Sequence, residues 1–341
     1  MSFSNVTNNT DFEDVDQSVI DAIGIVTAIL TVVGFFGNSG IILIVLSNRS
    51  MRNRPNALVA SLAVGDLLVV LVSAPLRIYQ MVYYMWPFGL LVCKFSHTFS
   101  IISQAVSIFS MVALSHDRYR AIVTPMNYSR FRGSGHTVAI ISVVWFLGFI
   151  FSIPALIFSE VIRNEHFTYC IVIHDMSTEG KVYTVMRGLV LFIMPLMIIN
   201  VYYCMISRKL IASTRALPGE VHDKRSQISS RKRLAYLVLA IIVLFIVCWF
   251  PFFIFQIIFH VDSSILFTPI MTYLRLLAEA LTYANSCINP ILITVVSSTY
   301  RKYFCSYLRC RCFRKAKFIR PRASTVSSKA SSARTRITEF A

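Results

Sequence analysis

The side chains in this sequence that are best suited to bind ions or carry out chemistry are polar and ionisable groups inside long apolar stretches. Asp66 lies in one stretch, and Ser107, Asn285 and Asn289 lie in others. A charge at the centre of a bilayer costs about 2.5–3.5 kcal/mol on insertion scales, so each such residue is a candidate functional residue. If the stretches pack together, these groups can hold a monovalent cation such as sodium or form a hydrogen-bonded structural cluster. The residues alone leave both alternatives open.

A charged triplet, Asp117-Arg118-Tyr119, lies where another apolar stretch meets a basic segment. By itself the triplet is typical of a solvated helix end, so its role depends on the rest of the sequence.

The elements that must position these groups are strongly apolar. Of the 341 residues, 56% are hydrophobic and only 14% are charged, against about 25% charged in a soluble domain. We therefore expect most of the chain to lie in lipid. The net charge of +17 does not indicate nucleic-acid binding, because the basic residues lie in short segments between apolar stretches. The cysteines lack the spacing of a structural metal site.

Seven apolar stretches are long enough to cross a bilayer as helices, which takes about 20 residues. They are residues 19–46, 58–81, 91–122, 137–158, 183–206, 234–259 and 265–296. Backbone amides in lipid must bond within their own segment, so we expect helices that are kinked at their prolines. The sequence predicts an all-α integral membrane protein, a seven-transmembrane helix bundle with a short amphipathic cytoplasmic helix.

The predicted bundle occupies residues 19–297. We expect an extracellular amino-terminal tail at 1–18, an amphipathic membrane-surface helix at 298–309 and a disordered cytoplasmic tail at 310–341. No cleavable signal peptide is evident, so the first span should direct insertion.

Basic residues collect after the first and third stretches, between the fifth and sixth, and after Tyr300, whereas the amino-terminal segment has only acidic ones. Positively charged loops stay in the cytoplasm. We therefore predict a multi-pass plasma-membrane protein with its amino terminus outside and its carboxyl terminus inside. Glycosylation sequons at Asn5 and Asn8 then lie outside, where they can be modified.

Short motifs recur along the spans. They are Gly37-Asn38, Leu62-Ala63-Val64-Gly65-Asp66, Cys93, Asp117-Arg118-Tyr119, Trp145, Pro195, Tyr203, Cys248-Trp249-Phe250-Pro251, Asn285 and Asn289-Pro290. Together these motifs resemble the rhodopsin-like G-protein-coupled receptors, over essentially residues 20–310.

This resemblance implies a two-state switch that agonist and G protein bias reciprocally. Asp117 restrains Arg118 at rest, the sixth span swings outward about Pro251, and Arg118 and Tyr203 then help form a cavity for a heterotrimeric G protein. The implied switch residues are Asp117, Arg118, Tyr119, Tyr203, Trp249, Pro251, Asn289 and Pro290. Ile293 departs from the family, because most members have tyrosine at this position.

The cysteines divide between the two sides of the membrane. Cys93 and Cys170 match the family's disulfide pair and lie in the oxidising compartment. Cys305, Cys310 and Cys312 are juxtamembrane cysteines among arginines, so they are palmitoylation candidates that would bind the chain to membrane lipid. Phosphorylation of the tail by a receptor kinase would add negative charge for arrestin to bind.

Two features of the sequence exclude particular classes of ligand. Ser100 stands where amine receptors of the family carry an aspartate, which disfavours a small cationic amine, and residues 265–296 contain no lysine for an opsin's Schiff base. Residues 216–220, 230–235, 285–290 and 300–302 resemble the bombesin-type neuropeptide receptors, including invertebrate relatives that bind CCHamide peptides. The implied function is a non-enzymatic cell-surface receptor for an extracellular neuropeptide, coupled to Gq and calcium release.

Candidate ligand-binding residues at the outer ends of the spans combine aromatic rings with both signs of charge, which suits a peptide. They are Arg77, Ser100, Gln104, Phe252, Phe253, Gln256, Arg275, Glu279 and Tyr283. Arg77 and Glu279 are neighbours in receptors of this class. We expect them to pair, because an unpaired charge in a partly dry pocket is costly.

Other classes of membrane protein fit less well. A seven-span transporter or channel is the main alternative, but the spans show no inverted repeat. An enzyme would need a metal-ligand or nucleophile constellation, and none is evident.

Overall fold

The computed structural model describes residues 16–124, 134–163, 168–172, 178–215, 222–261 and 268–308. Seven helices in these ranges are long and apolar enough to cross a membrane, as predicted. They are α1 (Gln17–Ser47), α2 (Arg54–Tyr83), α3 (Gly89–Val123), α4 (Ser134–Phe158), α5 (from Thr178 to Arg215), α6 (His222–Val261) and α7 (Pro269–Val296); α8 (Ser298–Leu308) follows. Helix α6 begins twelve residues before the predicted apolar span. The prediction did not include these first turns because their residues are polar.

Side chains cap α1 and α2 at their amino-terminal ends. The carboxylate of Asp16 accepts a hydrogen bond from the Ser18 amide at the start of α1, and Asn53 Oδ1 accepts one from the Asn56 amide at the start of α2. Such caps satisfy amide groups that have no partner within the helix. The bonds from Ser18 also lower the pKa of Asp16.

Two of the predicted helix-kinking prolines follow a π-helical segment. Val69–Ser73 precedes Pro75 in α2, and Leu189–Ile193 precedes Pro195 in α5. A proline has no amide hydrogen and clashes with the carbonyl four residues earlier. The wider π turn inserts one residue there, and the bond skips to the fifth residue back, as from the Met194 amide to the Leu189 carbonyl. The strain of each proline is therefore relieved inside a continuous helix.

The largest departure from an all-α fold is a hairpin after α4. Strand β1 (Ser159–Arg163) pairs antiparallel with β2 (Thr168–Val172). Cys170 in β2 forms the predicted disulfide with Cys93 in α3, and Trp86 packs against the buried sulfurs. Below, the disulfide end of the bundle is the end that contains this bond, and the Arg118 end is the opposite end of α3.

Helix α3 is the centre of the bundle and packs against α2, α4, α5 and α6. Helix α1 approaches α7 closely at Gly34 and Gly37. A Cβ added at Gly34 would lie 2.7 Å from Cys287 Sγ, and one added at Gly37 would lie 2.7 Å from Pro290. The described residues up to Phe304 belong to one compact unit, and the described residues after it, 305–308, belong to a second.

Candidate functional sites

Asp66 is fully buried in α2 and gathers polar side chains from α3 and α7. Asn289 Nδ2 donates a hydrogen bond to Asp66 Oδ2 at 3.0 Å, and Ser107 Oγ donates one to Asp66 Oδ1 at 3.5 Å. The fourth predicted member, Asn285, is buried one helical turn before Asn289. The Oδ1 atoms of both asparagines are buried without a hydrogen-bond partner in the described part of the chain. The cluster therefore has unused oxygen ligands beside a carboxylate.

At the Arg118 end, one buried carboxylate lies between two guanidinium groups. Asp117 Oδ2 accepts a hydrogen bond from Arg118 Nη2 at 2.8 Å, and Arg54 Nε lies 3.7 Å from Asp117 Oδ1. Arg54, one of the basic residues that follow the first apolar stretch, is the first residue of α2. Asp117 thus holds Arg118 by a direct ion pair.

Aromatic side chains connect the helices that the predicted switch would move. The Tyr203 hydroxyl donates to the Ala235 carbonyl at 2.9 Å and so links α5 to α6, while Tyr119 lies against Tyr202. Trp249, in α6, is buried and contacts the rings of Phe245, Phe252 and Phe253. Pro251 and Pro290 lie inside α6 and α7, and Ile293 is buried.

At the disulfide end, Arg77 and Glu279 form the expected ion pair between α2 and α7. Arg77 Nε donates to Glu279 Oε1 at 2.8 Å, and Nη2 donates to the same oxygen. Arg77 Nη1 also donates to the Cys170 carbonyl at 3.2 Å. Gln80 bonds both backbone groups of Cys170, at 3.4 and 3.3 Å. The ion pair is therefore tied to the disulfide-linked hairpin as well as to α7.

Arg187, a charged residue in the predicted fifth span, is not among the predicted ligand residues but lies at this site. Its Nε and Nη2 donate to Gln104 Oε1 at 2.9 and 2.7 Å. The guanidinium carbon lies 5.8 Å from the centre of the Trp249 ring and 5.3 Å from that of Phe252. The signal that singled out Asp66, an ionisable group inside an apolar span, applies equally to Arg187.

The remaining predicted ligand residues divide into an inner and a rim group. Tyr283 is buried and lies within electrostatic range of both Arg77 and Arg187, and Phe253 packs beside Phe252. Ser100 and Gln256 are partly buried, and Arg275 is exposed. Arg275 interacts electrostatically with Tyr169 of the hairpin, whose pKa burial raises to about 12. The structure thus joins Arg77, Glu279, Tyr283, Arg187 and Gln104 in one site.

Several predicted modification sites lie outside the described residues. These are Asn5, Asn8, Cys310 and Cys312. Cys305 is exposed on α8. Cys248 and Cys287 are buried, and Cys204 is exposed on α5.

Comparisons with known proteins agree with this arrangement. A family model described as "7 transmembrane receptor (rhodopsin family)" matches residues 37–292. The chain is 34% identical over 302 residues to the Neuropeptide CCHamide-1 receptor of Drosophila melanogaster, and the aligned region spans 84% of this chain and 60% of that protein. It is 32% identical over 304 residues to the Bombesin receptor subtype-3 of Ovis aries, and that aligned region spans 85% of this chain and 75% of that protein. These relatives confirm the resemblance carried by the motifs, and the chain belongs to the rhodopsin family of seven-transmembrane receptors, as a receptor and not an enzyme.

Proposed function

We propose that this chain is a plasma-membrane receptor for an extracellular peptide and that it activates a heterotrimeric G protein, with Gq and calcium release as the favoured pathway. The observation that carries the proposal is the site at the disulfide end. The ion pair of Arg77 and Glu279 and the guanidinium of Arg187 are joined through Tyr283, and Arg187 lies over Trp249.

A peptide suits this site because it offers amides, side chains and charged termini to several separate polar groups at once. Ser100 has no charge with which to bind a small amine. The two relatives, a neuropeptide receptor and a bombesin receptor by name, support the same ligand class.

In this proposal the disulfide end faces the outside of the cell. The distribution of basic residues supports that orientation, since it places the charged loops at the Arg118 end in the cytoplasm. The Asp117–Arg118 pair then lies where a G protein would bind, and the serine-rich tail lies where a receptor kinase and arrestin would act.

We also propose that the Asp66 cluster binds sodium as an allosteric ligand. Hard cations take oxygen ligands, and the buried Oδ1 atoms of Asn285 and Asn289 are without partners in the described residues. Asp66 and Ser107 would complete the set. Asp66→Asn should abolish any effect of sodium, compared with potassium, on agonist dissociation; an unchanged sodium effect would refute the assignment.

The receptor proposal is tested by guanine-nucleotide exchange in membranes that contain the chain and a purified G protein. A library of neuropeptides, amidated and unamidated, should include at least one that increases exchange in the wild type but not in Arg118→Ala. The calcium response should disappear in cells that lack Gq-family α subunits. A complete lack of response to peptides, together with a response to another ligand class, would refute the peptide assignment.

A further inference from the structure

Arg187 differs in its partners from the other arginines that lie inside the bundle. Arg77 and Arg118 each form an ion pair with a carboxylate, and Arg54 lies close to one. Within the described ranges, no carboxylate lies within ion-pair distance of Arg187. Its only hydrogen-bond acceptor there is the neutral amide oxygen of Gln104.

This arrangement leaves a positive charge uncompensated within a membrane span. Charged residues at such depth are expensive and normally pair with one another or face a water-filled cavity. Arg187 is partly exposed, so its guanidinium is accessible to water or to a ligand. Of the three described charges at this site, Arg77 and Glu279 cancel each other, and the charge of Arg187 remains as the net charge.

Two side chains near Arg187, those of Gln104 and Tyr183, have hydrogen-bond donors without an acceptor in the described residues. Gln104 uses its Oε1 on Arg187, and its Nε2 is buried without a partner in the described chain. The hydroxyl of Tyr183, one helical turn before Arg187, is also buried without a partner there, and Tyr183 and Arg187 interact electrostatically. A guanidinium flanked by an amide donor and a hydroxyl donor is well suited to an ionised carboxylate, because that group accepts hydrogen bonds and donates none.

We propose that Arg187 binds a carboxylate of the receptor's ligand, with Gln104 Nε2 and the Tyr183 hydroxyl as further donors to it. The inference rests on the proposed function, since it specifies which chemical group the peptide presents. A bound carboxylate would draw Arg187 towards itself and weaken the contact of the guanidinium with the faces of Trp249 and Phe252. Neutralising the charge of Arg187 is thereby linked to the positions of Trp249 and Phe252, which lie on either side of Pro251 in α6.

The first test uses the purified full chain in detergent and needs no known agonist. The probes are a pool of N-acetylated tripeptides with free carboxyl termini and the same pool with amidated termini. The carboxylate pool should raise the Tm of the wild type by at least about 2 °C, roughly the shift that a modest binding free energy produces. The amide pool should not raise it.

Variants assign that shift to Arg187. Arg187→Gln should lose the response to the carboxylate pool, whereas Lys181→Gln, which removes an exposed charge from the same helix, should keep it. Gln104→Glu supplies an internal carboxylate, so the empty receptor should gain thermal stability and stop responding to the pool. Equal shifts from both pools, or a full response in Arg187→Gln or Gln104→Glu, would overturn the proposal.

The second test uses whichever library peptide activates the receptor. Each of its carboxylates is neutralised in turn, by Asp→Asn, Glu→Gln or amidation of the terminus. One neutralisation should reduce potency at least ten-fold in the wild type and have no further effect in Arg187→Gln. An active peptide without any carboxylate would overturn the proposal. If no library peptide is active, the thermal test alone decides whether Arg187 binds carboxylates.

Discussion

The ion pair between Arg77 and Glu279 gives the sharpest quantitative prediction. We consider Arg77→Met, Glu279→Gln and the double variant. Removing either partner leaves the other charge unpaired between α2 and α7, and Arg77→Met also removes the donor at 3.2 Å from the Cys170 carbonyl.

The size of each effect follows from burial. Breaking a buried pair costs about 3–5 kcal/mol, but the side chains of Arg77 and Glu279 are 20% and 23% exposed. Water therefore stabilises the remaining charge, and we expect about 2–3 kcal/mol for Glu279→Gln, at or below the lower end of that range. Arg77→Met should cost about 1 kcal/mol more, because the Cys170 bond is lost too.

Thermal unfolding of the purified receptor measures these costs. The double variant should be more stable than the sum of the single effects predicts, by a coupling energy of about 1–3 kcal/mol. The charge swap, Arg77→Glu with Glu279→Arg, should recover only part of the stability, because a carboxylate at position 77 faces the Cys170 carbonyl instead of donating to it.

Agonist potency then separates a binding role from a structural one. Each single charge reversal should reduce potency ten-fold or more, about 1.4 kcal/mol, and the swap should restore surface expression but not potency. Strictly additive stability effects would refute the pairing. Wild-type potency of the swapped receptor would show that the pair is structural and would remove Glu279 from the binding site.

Three further outcomes follow from contacts elsewhere in the bundle. Arg118→Ala should reach the cell surface and bind ligand but lose most nucleotide exchange, since Arg118 lies far from the disulfide end; normal exchange at normal expression would contradict its role. Cys93→Ser and Cys170→Ser should each impair surface delivery, and flow cytometry should find the double variant no worse than either, because both remove the same bond. Gly34→Ala should lower the Tm, at a cost of about 1–3 kcal/mol, because its methyl group would lie 2.7 Å from Cys287 Sγ. Gly135→Ala, with nothing within 4 Å, is the matched control and should leave the Tm unchanged or slightly raised.

The features that the sequence predicts well are those that lipid imposes. Seven apolar segments must become helices because their amides have no other partners, so the spans are recognisable from composition. Asp66 is recognisable because a charge in such a segment is costly, whereas the pairing of Arg77 with Glu279 was expected from the family resemblance. The contacts of Asp66 with Asn289 and of Arg77 with Glu279 follow once the helices are packed.

The features that the sequence does not predict depend on packing and local geometry. The hairpin of β1 and β2 is stabilised by backbone pairing and by the disulfide, and neither leaves a clear alternation in residues 159–172. The polar start of α6 has no apolar signal. The sequence gives no signal for the role of Arg54, because its carboxylate partner, Asp117, lies in another helix and becomes a neighbour only when the helices are assembled.

The π segments of α2 and α5 have a consequence for how such receptors diversify. Each inserts one residue between an inner and an outer half-helix, and one residue corresponds to a rotation of about 100°. In α5, Arg187 lies before the segment and Tyr203 after it. Deleting one residue from Leu189–Ile193 would turn the side chain of Arg187 towards lipid while Tyr203 kept its bond to α6. A one-residue insertion or deletion here can therefore exchange the set of side chains offered to a ligand without altering the half-helix that signals, and an ungapped alignment across the segment would pair the wrong residues.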